Sequence, residues 1–278
     1  MKYSDHYDRS KVKVLELLMG DGWTIEPAGG SSGEAYLARA GEQVLFLKRN
    51  SSPFLAVLSA EGIVPKLLWT KRQANGDVIT AQRWVDGREL RGGDMDNTRV
   101  AQLLSKIHSS SELLDMFMRI GNHARTPEAT IAVLREQQDQ LPYITDSMAV
   151  ALEELAGTSG EVQPPRLVVC HGDMNHNNWM FDANGDLYLV DWDNATVSDP
   201  ALDLALILYE YIPKEEWDGW LQEYGLPLTS HLQRRMRWQI ISHLLDHAQQ
   251  AILTNRRKEA EFYKKQLEAV LDRDSLQI

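Results

Sequence analysis

The sequence predicts an α+β protein of two lobes, a small antiparallel β-rich N-terminal lobe and a larger, mostly helical C-terminal lobe. Three observations carry this. Strand-like runs punctuated by turns fill the chain as far as Val85, helical periodicity dominates from Asp94, and one strand-forming island at 167–190 interrupts the helices. The lobes are set at residues 1–86 and 87–278, with a hinge at 82–87.

The first lobe follows from its punctuation. Val12, Val14, Leu15, Leu17 and Leu18 form a helical pattern that Gly20 and Gly22 end. A strand series opens at Trp23, and after the small-residue turn Gly29-Gly30-Ser31-Ser32-Gly33 the segments 34–40 and 43–49 form a hairpin around Gly41-Glu42. Residues 53–61 read as a short helix, with Ser51 or Ser52 as cap and Pro53 in the first turn. Segments 66–70 and 77–84 make a second strand pair around Ala74-Asn75-Gly76.

In the second lobe, Val100, Leu103, Leu104 and Ile107 line one face of a helix that Asp94 or Asp96 caps. Further helices are expected at 127–140, 147–156, 200–211, 215–224 and 229–254, and a last one begins near Arg256.

Composition excludes several functions. The chain has 278 residues, 43% hydrophobic and 25% charged, the make-up of a globular protein with a sizeable core. No run approaches the roughly 20 apolar residues of a membrane span, and the polar start Met1 to His6 is unlike a signal peptide. Cys170 is the single cysteine, which rules out an intrachain disulfide and a cysteine-only metal site. A cytoplasmic protein is expected. The net charge of −11 gives no help in meeting nucleic acid or anionic lipid, so neither nucleic-acid binding nor membrane insertion is expected.

The island carries the chemistry. An apolar strand delivers His171-Gly172-Asp173, Asn178 follows, and a second apolar strand delivers Asp191. Phosphoryl transfer from ATP needs a carboxylate beside the attacking hydroxyl, and an amide oxygen and a second carboxylate to hold magnesium on the phosphates. Asp173, Asn178 and Asp191 are candidates for those roles in that order.

On these residues the chain resembles the aminoglycoside phosphotransferase and choline kinase-like family, whose hallmark is this His-Gly-Asp, Asn, Asp-Trp set. Asp199-Pro200 followed by Asp203-Leu204-Ala205 fits the same pattern, in which the later Asp buttresses the catalytic loop. More narrowly, Ser32-Gly33-Glu34-Ala35-Tyr36, Pro65-Lys66-Leu67-Leu68-Trp69, Asn177-Asn178-Trp179 and the run Tyr188 through Asp193 resemble the bacterial YtmP or CcrZ subgroup, sugar-kinase-like proteins linked to cell-cycle control.

The resemblance implies a protein-kinase-like fold, ATP and Mg2+ as cofactors, and a strand lysine on the nucleotide phosphates paired with a helix glutamate. Lys48 is that lysine, with Glu61 as its partner and Glu34 as the fallback. Gly30, Ser31, Ser32 and Gly33 lie where a phosphate loop would, and Gln82 and Trp84 where the adenine edge would bind. His171 shapes the catalytic loop. Asn175, His176, Trp192 and Asp193 are the candidate acceptor contacts, Asp193 serving metal or substrate. Trp238, His243, Asp246 and His247 share a later helix and either face the acceptor or pack the lobe.

The acceptor implied is a small-molecule hydroxyl, most naturally a pentose such as ribose or 2-deoxyribose, with choline and aminoglycosides as alternatives. A regulatory binding module on a kinase fold, contacting a cell-division or replication protein, is the competing class.

Overall fold

The computed structural model describes residues 9–29 and 34–272. In chain order its elements begin with α1 (Arg9–Met19), β1 (Thr24–Gly29), β2 (Ala35–Ala40), β3 (Gln43–Arg49) and α2 (Phe54–Ala60). Then come β4 (Leu67–Arg72), β5 (Val78–Arg83), β6 (Gly87–Glu89), α3 (Thr98–Ser109), α4 (Ser111–Arg119), α5 (Pro127–Asp139) and α6 (Asp146–Thr158). The island supplies β7 (Val168–Cys170), β8 (Trp179–Asp182), β9 (Leu187–Leu189) and β10 (Thr196–Ser198). The chain closes with α7 (Ala201–Tyr211), α8 (Trp217–Tyr224), α9 (Ser230–Leu253) and α10 (Arg257–Asp272).

Two compact units result, and neither is a single continuous segment. The first runs to Glu89 and also takes Trp179–Asp193; the second holds Leu90–Asn178 and the chain from Asn194 on. The expected division at 86/87 therefore falls three residues short and misassigns the segment 179–193. Pairing explains the difference. β8 lies between β6 and β9 in a three-stranded sheet, and Leu189 N donates to Ile63 O at 3.0 Å. Gly87 permits the join, because a Cβ there would sit 2.0 Å from Phe181 O.

The main sheet of the first unit is antiparallel, in the order β1-β2-β3-β5-β4. Alternation along its strands sends Tyr36, Ala38, Leu47, Ile79 and Ala81 to one face, where Leu15 of α1 and Ile25 complete a core. Lys48 follows Leu47, so the same alternation turns it to the opposite face.

In the second unit α9, 24 residues long, packs against α6, α7 and α10, while β7 pairs antiparallel with β10. Thr126, Thr145 and Thr229 cap α5, α6 and α9 through their hydroxyls. The cap of α3 differs from expectation: Asn97 accepts from Arg99 N at 2.9 Å, while Asp94 accepts from Arg91 N at 2.8 Å one turn earlier. Trp238 is buried and its indole N–H donates to Leu155 O at 3.1 Å, fastening α9 to α6. Strands β6 and β10 and helix α4 were not anticipated; α4 is set off from α3 by Ser110 alone, whose hydroxyl accepts from Leu113 N. Among the described residues no helix is long and apolar enough to cross a membrane.

A buried ion pair ties α9 to the start of α7. Arg235 Nε and Nη2 donate to Asp199 at 2.8 and 3.0 Å, and Asp199 Oδ1 also accepts from Ala201 N at 2.8 Å. Both side chains are almost fully buried. Arg235→Ala, which strands the carboxylate, is expected to lower unfolding free energy by about 3–5 kcal/mol in a denaturant titration.

Candidate active site

In the first unit β3 carries Lys48, and β9 ends in a sharp turn. Asp191 there has φ 63°, a left-handed conformation uncommon for a residue with a side chain and concentrated at functional sites. A turn of 3₁₀ helix, Trp192–Asn194, follows. Lys48 Nζ donates to Asp193 Oδ1 at 2.8 Å and Oδ2 at 2.9 Å, and to Asp191 Oδ1 at 3.1 Å. Burial by itself pulls the Lys48 ammonium down, but Asp193 and Asp191 together outweigh it and its pKa is raised, so the lysine stays charged.

Lys48 is held by Asp191 and Asp193, Glu34 lies 3.5 Å from Arg49, and Glu61 closes α2. The Trp192 indole N–H donates to Leu189 O at 2.8 Å, and its ring meets Phe54 edge-on at 5.9 Å. Gln82 is buried in β5 with its amide on Pro65 O at 2.8 Å. Trp84 N donates to Val44 O at 3.3 Å, so strand bonding runs through it, and its ring lines a groove of about 970 Å³ with Trp23 and Trp69. Gly30, Ser31, Ser32 and Gly33 lie outside the described residues.

In the second unit β7 delivers the loop at His171. Asp203, fully buried on α7, accepts from His171 N at 2.8 Å and from Gly172 N at 2.9 Å, one carboxylate oxygen to each. His108 Nε2 also meets Asp203 Oδ2 at 3.0 Å, and its Nδ1 meets the Tyr224 hydroxyl at 2.8 Å. Gly172 is left-handed with φ 79°, and a Cβ there would sit 2.6 Å from Asn194 O. His171 is fully buried, and its Nδ1 accepts from Asp173 N at 3.3 Å. It therefore positions the loop from behind.

Asp173 faces outward from this frame. Oδ1 accepts from Asn175 N at 3.3 Å, and Oδ2 has no hydrogen bond among the described residues. Asn178 Nδ2 donates to Asp173 O at 3.1 Å, which fixes the amide and leaves its oxygen as the donor atom for a cation. Asn175 Oδ1 accepts from Asn177 N at 3.0 Å, and His176 is held by the Tyr211 hydroxyl at 3.2 Å from its backbone N.

Beside Asp173 opens a cavity of about 710 Å³, lined among others by Asn175, Glu210, Gln239, His243 and Tyr263. Asn175 is thus the expected acceptor contact that reaches it within this unit, and His243, Asp246 and His247 do so from α9. Gln239, Tyr263 and Arg125 were not singled out as its walls. Only the helical phase of Gln239 with His243, four residues apart, could have flagged one of them. Partial desolvation pushes the Glu210 carboxyl up, the Tyr211 hydroxyl opposing and the Asp173 charge adding.

Among the described residues His108, Cys170 and Asp203 form the one group of three close metal-ligating types. Every donor atom is already committed. Both ring nitrogens and both carboxylate oxygens are bonded as above, the thiol donates to Asp199 O at 3.3 Å, and burial pushes its pKa well up. The group is structural.

Comparison with known proteins places this arrangement. The chain superposes on the choline kinase LicA from Streptococcus pneumoniae with a TM-score of 0.73 at 17% identity, over 96% of this chain and 99% of that one. A choline/ethanolamine kinase family protein from Mesorhizobium loti gives 0.70 at 18% identity, over 95% and 93%. A spectinomycin phosphotransferase in complex with ADP and spectinomycin gives 0.66 at 14%, over 95% and 97%. These likenesses show a protein-kinase-like fold. Residues 24–238 match the sequence model described as the phosphotransferase enzyme family, well over half of the chain, and the protein therefore belongs to that family of small-molecule kinases.

Proposed function

We propose that the protein is an ATP- and magnesium-dependent phosphotransferase whose acceptor is a hydroxyl of a small molecule, a pentose such as ribose or 2-deoxyribose. The observation that carries the reading is Asp173, fixed by a loop hung on Asp203, with one carboxylate oxygen turned to an acceptor-sized cavity. Asp173 takes the proton of the acceptor hydroxyl as that oxygen bonds to the γ-phosphorus, and the bond to ADP breaks. Lys48 contacts the nucleotide phosphates. Magnesium, when bound, supplies positive charge to those phosphates, and Asp191, Asn178 and Asp193 offer the hard oxygen donors it prefers. ATP is supported by neighbours solved with AMP and ADP.

The pentose rests on the motifs shared with the YtmP and CcrZ subgroup, and so does a role in bacterial cell-cycle control with a division or replication partner. Choline or an aminoglycoside is the alternative, because solved neighbours include a choline kinase and a spectinomycin phosphotransferase. A purely regulatory module would not require Lys48, Asp173, Asn178 and Asp191 together.

Purified protein assayed for ATP consumption with ribose, 2-deoxyribose, choline and kanamycin should turn over a sugar and lose that turnover when magnesium is chelated. Asp173→Asn should cut kcat by about 10²–10⁴ while nucleotide affinity holds; an unaffected kcat would end the general-base assignment. Asp203→Ala leaves two buried N–H groups without acceptors, at about 1–3 kcal/mol each. It should lower both the melting temperature and kcat, and Asp203→Asn, which can accept but carries no charge, should fall between.

A further inference from the structure

The cavity beside Asp173 is larger than a free pentose needs. Its volume of about 710 Å³ lies in the range of about 300–1,000 Å³ that encloses drug-sized ligands. Its lining also has an order. Glu210 and Tyr263 lie close enough to Asp173 to feel its charge. From Tyr263 the wall continues to His247, with ring centroids 5.0 Å apart, and from His247 to His243 at 4.0 Å. Beyond His243 comes Arg125, whose Nη2 is 3.8 Å from Asp246 Oδ2. Gln239, His243, Asp246 and His247 fall at i, i+4, i+7 and i+8 of α9, which is one helix face.

On this face Gln239, His243 and His247 keep polar atoms uncommitted among the described residues, while the Asp246 carboxylate is already paired. Gln239 is 9% exposed, and its amide has no hydrogen-bond partner among the described residues. His247 Nδ1 meets His243 O at 3.1 Å, so that nitrogen carries the proton and Nε2 is left to accept. The His243 ring makes no hydrogen bond among the described residues. Burial, with His247 and Arg125 nearby, pushes its pKa down to about 3, which leaves a neutral ring with one donor and one acceptor. Asp246 accepts from Gln137 Nε2 at 3.0 Å and faces Arg125, so it is not a spare carboxylate for an organic cation.

The two histidines do not form a metal site, since no third ligand of metal-binding type converges on them among the described residues. Tyr209, Leu206, Phe262 and Val270 give the cavity an apolar side as well. Paired donors and acceptors with a nearby aromatic wall suit a hydroxylated ring that bears a second ring.

We propose that the acceptor is an uncharged substituted sugar, a pentose carrying a second ring, with its reacting hydroxyl at Asp173 and its substituent running along α9 toward Arg125. Gln239, His243 and His247 are its specificity-determining residues. The proposal rests on the phosphotransferase reading of Asp173.

The test compares kcat/KM for uridine, ribose, ribose 5-phosphate and choline with ATP, in the wild type and in Gln239→Leu, His247→Ala and His247→Gln. Uridine is expected to exceed ribose by about tenfold, through KM. Gln239→Leu and His247→Ala should each raise the uridine KM about tenfold with kcat little changed and ribose barely affected, while His247→Gln recovers part of the loss. Ribose equal to uridine would remove the second subsite. Preference for ribose 5-phosphate or for choline would overturn the uncharged acceptor. If no sugar is phosphorylated while ATP hydrolysis sensitive to Asp173→Asn persists, the sugar class falls and phosphotransfer stands. A wild type that consumes no ATP with any acceptor or with water would sink the phosphotransferase reading itself.

Discussion

The Asp203 carboxylate is the constraint on which the rest of the second unit depends. A buried charge is tolerated only when its lone pairs are filled, and here two backbone N–H groups and an imidazole fill them. The N–H groups belong to His171 and Gly172, the residues immediately before Asp173, so α7 dictates where the Asp173 carboxylate stands. Asp199, four residues before Asp203, is clamped by Arg235 of α9. Arg235 is in turn one helical turn before Gln239, so Gln239 and Asp173 are referred to the same packed helices α7 and α9.

Lys48 shows the opposite balance of the same forces. Burial disfavours its charge, yet two partly exposed carboxylates two residues apart hold the ammonium charged. The left-handed turn at Asp191 brings both carboxylates to bear on one cation. If a nucleotide and a divalent cation bind as proposed, phosphates would offer the lysine the same negative charge and the cation would offer Asp191 and Asp193 the same positive charge, so joint binding would exchange partners without leaving a charge unpaired.

Local patterns were legible in the sequence and non-local ones were not. Asp173 and Asp191 stand out because each follows an apolar strand run, Asn178 by its spacing from Asp173, and the long helices follow from periodicity. The division of the chain failed at 179–193, since no local signal says that β8 pairs with a strand some ninety residues earlier. Asn97 rather than Asp94 caps α3 because capping is decided by backbone geometry within a residue or two, finer than composition resolves. The cavity walls come from a loop, α7, α9 and α10, and the contribution of α10 had no local signal beforehand.

The net charge of −11 invites the idea of a cationic acceptor, and the site shows why that inference does not follow. A ligand meets the carboxylates of its own cavity, not the sum over the surface, and screening removes most of the distant ones within about 10 Å. Of those in the cavity, Asp173 is the candidate base, Asp246 is answered by Arg125 and Gln137, and desolvation pushes the Glu210 pKa up. The adjoining histidine is kept uncharged, and the nearest full charge at the far end is positive. What remains is a surface of alternating donors and acceptors with little net field. On the proposed reading a hydroxylated ring would satisfy groups that otherwise stay unpaired, where a quaternary ammonium would make no hydrogen bond to them. Local pairing, more than composition, is what decides which hydroxyl this carboxylate can be offered.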